Sequence, residues 1–280
     1  PPKAPRVRTD VTRRAARLPE REGYPPLPDV DTEILGAESS YGPRSRTRDT
    51  REVVVKVAMH HGSREALSAI VRELGSFGLA VPGLTAGGRG LPKPTPLVRL
   101  RSYLVPRECF RPVIHLDGAT LDYEEPAVPP PTMPTRSPEP VPARLDIDDP
   151  VEIPLLAIAH ARSGDKGADA NIGVRARHPD FIPVLQQQLN AERVAAWFAH
   201  RVDGSVHRYE VPGIQAFNFV LRDALGGGGI SSLRFDPQGK AYAQQLLDMP
   251  VSVPASWLVH PALVETPEVE DARGERTTRA

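Results

Sequence analysis

The stretch IPLLAIAHARSGDKGADANIGVRA, Ile153 to Ala176, decides the fold. Ile153–Ala159 is an apolar run of buried-strand length and Asn171–Ala176 is a second one, with a polar, glycine-containing turn between them. Downstream, Pro179 suits the first position of a helix that carries Phe181, Leu185 and Leu189 on one face. Asn190 can cap another helix, with Val194, Trp197 and Phe198 facing inward. Val206–Val211 and Ile214–Leu221 read as strands, the second alternating Phe217, Phe219 and Leu221 to one side. Gly226–Gly229 turns the chain into a strand-like Ile230–Phe235, and Asp236-Pro237 opens a last helix bearing Ala243, Leu246 and Leu247. Two parallel crossovers, with helices on one face of a mostly antiparallel sheet, predict an α+β sandwich over residues 151–258.

Upstream, residues 1–50 mix Arg, Pro, Asp and Ser without a sustained apolar period and are expected to be irregular. Val53–Met59 is a β-branched strand. Ser63 can cap a helix bearing Ala66, Leu67, Ile70, Val71 and Leu74, with Gly75 as its stop. Weaker strand signals at Val98–Val105 and Val113–Leu116 complete a partial α/β segment over 51–118. Proline then becomes dense, as in Pro129-Pro130-Pro131, and residues 119–150 are expected to form a linker. The charged residues 259–280 are expected to be a disordered tail.

Composition excludes several classes. The 35 Lys+Arg balance the 35 Asp+Glu, so no basic footprint calls for a nucleic acid or an anionic membrane surface. No apolar run reaches the length of a membrane span, and the first residues lack a signal-peptide core, which makes the cytoplasm the expected compartment. Cys109 is the single cysteine and can form neither an internal disulfide nor a Cys-rich zinc site. His60-His61 has no carboxylate or Cys at ligand spacing, so no metal is expected, and no nucleotide or other cofactor motif occurs. The chain starts at Pro1 without an initiator Met, which fits the C-terminal part of something longer.

Polar residues concentrate in His160–Asn171. His160 can serve as a general base oriented by Asp165, with Lys166 as a third catalytic group. Arg162 with Lys166 can neutralise a carboxylate or phosphate, Ser163 and Asn171 can hydrogen-bond it, and Gly164 and Gly167 let backbone N–H groups approach. Gly227 and Gly228, in the run Gly226–Gly229, can bring backbone close to a thioester if that run lies beside the first loop. The competing readings are a salt-bridged structural turn and a flexible connection. His200 and His207 flank a helix-to-strand turn and are expected at the surface.

The run His160-Ala161-Arg162-Ser163-Gly164-Asp165-Lys166-Gly167, followed by Asn171-Ile172-Gly173-Val174, resembles the C-terminal domain of the acyclic terpene utilisation (AtuA) family. The resemblance continues through Tyr209–Gly213, Phe217–Leu221 and Ala224–Gly229, and covers Ile153 to Trp257. Val53 to Leu116 more loosely resembles the end of that family's large N-terminal domain, most of which would be absent. The resemblance implies a ferredoxin-like fold and a role in breaking down acyclic terpenoids of the citronellol or geraniol type, as acids or CoA thioesters. Two readings follow: a hydratase or lyase step on a branched acyl substrate, or a non-catalytic substrate-binding or oligomerisation module, with homo-oligomers allowed. Relatives follow Gly-Asp-Lys-Gly directly with Asp, whereas this chain places Ala168 before Asp169.

Overall fold

A computed structural model of the protein describes residues 3–47, 50–80, 90–99, 101–123, 126 and 145–279. The chain divides into two compact units, Pro1–Arg99 with Arg144–Ala280, and Leu100–Ala143.

The first unit opens with helix α1 (Ala4–Arg21), which corrects the expectation of irregular chain over 1–50. Ala4, Val11, Ala15 and Leu18 form a buried stripe at helical spacing, and the intervening Arg6, Arg8, Arg13, Arg14 and Arg17 hide the period in a linear reading. Strands β1 (Asp29–Leu35) and β2 (Val54–His60) pair antiparallel from Asp29↔His60 to Leu35↔Val54. Helix α2 (Arg64–Gly75) is capped by the Ser63 hydroxyl, which accepts from the Ala66 N–H at 3.1 Å, and the short α3 (Phe77–Ala80) follows. Ala15, Leu18 and Ile70 form a small core between α1 and α2.

The second unit holds a hairpin, β3 (Val113–Leu116) and β4 (Ala119–Asp122), joined by Asp117-Gly118. Both turn residues have positive φ, 51° and 80°, the geometry of a two-residue turn whose twist matches that of its strands. The expected linker therefore begins with a strand at its N-terminal end, and most of its remainder, 124–125 and 127–144, lies outside the described residues. No strand forms over the described part of Val98–Val105.

The rest of the first unit contains β5 (Pro150–Pro154), β6 (Ala159–Lys166), β7 (Asp169–Ala176), α4 (Ile182–Gln188), α5 (Ala191–Phe198), β8 (Val206–Val211), β9 (Ala216–Leu221), α6 (Tyr242–Leu247), β10 (Pro250–Pro254) and α7 (Pro267–Arg279). The sheet order is β6-β7-β9-β8, every pair antiparallel. β7 and β8 consequently run parallel on either side of β9, joined through α4 and α5 in a split β-α-β unit. This is an α+β architecture. Ile172 lies opposite Phe219 and Val174 opposite Phe217, and these four pack with Leu185, Phe198, Tyr242 and Leu246 in one core.

Four expectations are corrected here. Ile153–Ala159 is not one strand: the chain leaves β5 at Pro154, makes a 3-10 turn at Leu155–Ala157 and starts β6 at Ala159. The second expected crossover leaves the main sheet, because β10 pairs with β5 and the position beside β7 belongs to β6. Prolines bound both β5 and β10 and cannot donate to a ladder, which suits a short two-stranded ribbon better than a sheet interior. Ile230–Phe235 forms no strand, only a 3-10 turn at Gly229–Ser231 followed by irregular chain. The end of the chain is also ordered as far as it is described: Leu263 and Val269 are buried, and Thr266 accepts from the Val269 N–H ahead of Pro267.

The N-terminal ribbon and the C-terminal sheet share polar contacts. The Glu33 carboxylate, 8% exposed, accepts from the Phe235 N–H at 2.6 Å and from Lys56 Nζ at 2.8 Å. His200 is half-buried rather than at the surface, and its Nε2–H donates to the Ser40 carbonyl at 3.0 Å. The Arg44 guanidinium lies 3.9 Å from the centre of the Trp197 ring.

Burial holds the His200 imidazole below its usual range, and Arg44, Arg201 and Arg234 push the same way against the opposing pull of the Ser40 carbonyl. The unfolded chain therefore takes up this proton first. Stability from the neutral ring is complete above about pH 6.5 and is lost as the pH falls through 6.5 toward the lower folded value. Denaturant titrations at a series of pH values should show the acid-side decline flattened in His200→Gln relative to the parent.

Candidate functional site

The polar run expected to be a turn is mostly strand. His160–Lys166 lies on β6, and only Gly167-Ala168 turns the chain into β7. Side chains alternate along a strand, so His160, Arg162 and Lys166 share the exposed side while Ser163 and Asp165 face the other way. His160 and Asp165 therefore point to opposite sides, and Asp165 does not orient His160. Lys166 is six residues from His160, about 20 Å along an extended strand. His160, Asp165 and Lys166 do not assemble into one catalytic group.

Each of these residues has local partners. His160 Nε2 accepts from the Arg177 guanidinium at 3.1 Å. Partial burial and the charges of Arg177 and Arg175 hold its imidazole below the usual range. The Ser163 hydroxyl is buried and accepts from the Ala243 N–H at 2.9 Å, with the Gly239 carbonyl 2.6 Å away. It anchors the start of α6 to β6 and is not available to a ligand. Asn171 donates to Asn218 across the sheet at 3.1 Å. Gly164 packs near the Lys240 ammonium, and Arg162 is exposed. Lys166 Nζ donates to the neighbouring Asp165 carbonyl at 3.0 Å. Asp169, displaced by Ala168, accepts from Arg222 at 2.5 Å and from the Asp223 N–H at 2.9 Å, and so fastens the hairpin to the end of β9.

The glycine run does lie beside the hairpin tip. A Cβ on Gly228 would meet the Gly167 carbonyl oxygen at 2.8 Å and the Ala168 nitrogen at 3.1 Å. The Leu225 N–H donates to the Ala168 carbonyl at 3.0 Å, and Asp165 Oδ2 is 3.7 Å from where a Gly229 Cβ would stand. Ser231 holds the run from inside, its hydroxyl donating to the Gly227 carbonyl at 2.7 Å.

On its other side the run forms one wall of a cleft of about 320 Å³, lined by Asp29, His60, Arg99, Gly226, Gly227, Ser231 and Leu233. Asp29 and His60 stand opposite one another at the end of the β1–β2 ribbon. The Nδ1 of His60 is buried and has no hydrogen-bond partner among the described residues. His61 differs: its Nδ1 accepts from the Ser63 N–H at 2.9 Å and its Nε2 bonds to the Pro25 carbonyl at 2.9 Å, so it is structural. The cleft thus combines an unsatisfied imidazole, a carboxylate, a guanidinium and a glycine wall. That donor set can hold an anionic head group and move a proton beside it. Of the residues expected from sequence, Gly227 lines this cleft and Gly228 and Gly167 support its wall. The sequence offers His60 only as a metal ligand and gives Asp29 and Arg99 no signal, because the three converge only through the ribbon register and the return of the chain near residue 99.

The split β-α-β unit with helices packed against one face defines a ferredoxin-like α+β domain. Residues 153–252 match the family model described as the AtuA ferredoxin-like domain. No curated protein and no solved structure matches the chain. Among the described residues, no helix is long and apolar enough to cross a membrane.

Gly228 has φ 89° and ψ 150°, a region that is essentially glycine's alone, and it faces backbone that cannot move aside. Gly167, at φ 70°, has open space where a Cβ would go. Gly228→Ala should therefore lose more stability than Gly167→Ala, which is expected to cost about 1–2 kcal/mol. Urea denaturation of the two variants measures the difference.

Proposed function

We propose that the protein serves acyclic terpenoid utilisation by binding a branched acyl carboxylate, or its CoA thioester, in the cleft between the Gly226–Ser231 segment and the β1–β2 ribbon. The observation that carries this reading is the meeting of Arg99, His60 and Asp29 with the glycine wall in one cleft. The cleft is lined by Asp29, His60 and Arg99, which precede the AtuA ferredoxin-like match, and by residues of that match itself. Its volume, about 320 Å³, is near the lower end of the roughly 300–1,000 Å³ usual for small-molecule pockets. It suits an acyl group and not an entire CoA. In this reading Arg99 makes a charge-assisted hydrogen bond to the carboxyl or thioester oxygen, and the glycines let the acyl head approach backbone. His60, with Asp29 opposite, exchanges a proton with the bound acyl group, as a hydration or elimination step requires. The thioester's phosphates extend past Gly228 toward the hairpin tip, where Lys166 is exposed.

A second reading, a binding module without catalysis, is favoured by the dispersal of His160, Asp165 and Lys166 along β6. The two differ in turnover. Calorimetric titration with geranyl and citronellyl acids and their CoA thioesters should show Arg99→Ala weakening both ligands about 10- to 150-fold, as expected for a lost charge-assisted bond of about 1.5–3 kcal/mol. Arg99 is exposed, so its removal should leave the melting temperature nearly unchanged. Lys166→Ala should weaken the thioester only. Under the enzymatic reading, His60→Gln keeps binding and loses turnover; absence of turnover in the parent chain leaves the module. Unchanged affinity in Arg99→Ala would overturn the cleft as the binding site.

A further inference from the structure

Far from the cleft in sequence, three side chains converge at one edge of the domain: His178, Asp180 and His260 each offer a ligand atom, and all three atoms lie within 4.8 Å of one another. We propose that they form a binding site for a divalent transition-metal ion of the zinc type, which fastens the C-terminal segment around His260 to the ferredoxin-like domain.

The spacing carries the argument. His178 Nδ1 and His260 Nε2 each stand 3.3 Å from Asp180 Oδ2. A charge-assisted hydrogen bond between imidazole and carboxylate closes to about 2.7–2.9 Å, so both contacts are too long to be good examples. Ligands held about 2.1 Å from a tetrahedral ion are separated by about 3.4 Å, which is the spacing of both Asp180 contacts, and the two imidazole nitrogens stand within 4.8 Å of each other. Two imidazoles and one carboxylate also make a donor set suited to zinc and its neighbours rather than to calcium or magnesium. Among the described residues the ion pairs of Asp180 are with these two histidines, so no Lys or Arg competes for its charge. The neighbouring Arg177 is turned away to the Leu156 carbonyl and His160.

The surroundings fix the rings. Phe181 is fully buried beneath them, its ring centre 4.8 Å from that of His260 and 6.1 Å from that of His178, and the Trp257 ring lies tilted against it at 5.2 Å. This apolar floor excludes water from one side, while Asp180 remains exposed on the other, leaving room for water to complete the coordination. Two adjustments are required. His178 Nδ1 accepts from the Asp180 N–H at 3.4 Å, a long contact that metal at Nδ1 replaces. His260 Nδ1 accepts from the Ala262 N–H at 3.1 Å, which keeps the ring proton on Nε2. Metal at Nε2 moves that proton to Nδ1 and releases the Ala262 contact, exchanging one hydrogen bond for a coordinate bond.

His178 and Asp180 lie within the matched residues 153–252, and His260 lies beyond them. The ion would therefore join the domain to a segment outside the match. This inference is independent of the acyl-binding cleft.

The test is calorimetric titration of the chelator-stripped full chain with Zn(II), with Co(II) as a visible reporter of the ligand field. The expected result is one ion per chain, a raised melting temperature, and at least roughly tenfold weaker binding in each of His178→Ala, His260→Ala and Asp180→Asn. If His260→Ala fails to fold, judged by circular dichroism, the more exposed His178 and Asp180 decide the matter. Absence of saturable one-to-one binding, or wild-type affinity in His178→Ala and Asp180→Asn, would overturn the site.

Discussion

A carboxylate removed from water must be repaid by bonds made in its place, and Glu33 is such a group. The Phe235 N–H and the Lys56 ammonium both donate to it, and the Arg201 guanidinium stands 4.0 Å away. Lys56 also donates to the Leu233 carbonyl and pairs with Asp31 at 3.5 Å. These partners come from the N-terminal ribbon, from the turn after α5 and from the segment that follows the glycine run. Remove the carboxylate and each of the three loses the group that holds it against the others. The cleft lined by Asp29, His60 and Arg99 depends on this cluster, because two of its walls are the end of the ribbon and the Gly226–Leu233 segment.

The same cluster raises the carboxyl of Asp31 above its usual range, through burial first and the neighbouring charge of Glu33 second, while Lys56 pulls the other way. Two acids sharing one ammonium is an arrangement that folding alone would not favour over apolar packing. What it provides is register. Asp31 and Glu33 point to the same side of β1, and Lys56 lies opposite Glu33 on β2, so a one-residue slip of the ribbon would bury none of them correctly. That register also sets Asp29 opposite His60 in the cleft.

Much of the C-terminal sheet was legible because its core residues alternate cleanly, as Phe217, Phe219 and Leu221 do. The strand β6 was not, because it combines an exposed polar side with Ser163 and Gly164, and a charged, glycine-containing strand looks like a turn. Helix α1 was hidden by the arginines interspersed among its few buried residues, and the Asp117-Gly118 hairpin by the proline-rich context beyond it. The candidate site was legible only in its glycines. Asp29 and His60 carry no local signal, since what joins them is a pairing between strands.

The β5–β10 ribbon ties together two segments that lie at opposite ends of the domain in the chain, Val151 opposite Val253 and Ile153 opposite Val251. Pairings of such long sequence separation close late, because the entropy of a large loop must be lost before the contacts are gained. During synthesis, Ile153 and Leu155 emerge before the strand that covers them exists, and they stay uncovered until Pro254 has been added. The growing chain therefore carries an exposed apolar edge through most of the domain's production. Pro150 and Pro154, which limit what else can pair along that edge, guard it against premature association with other chains.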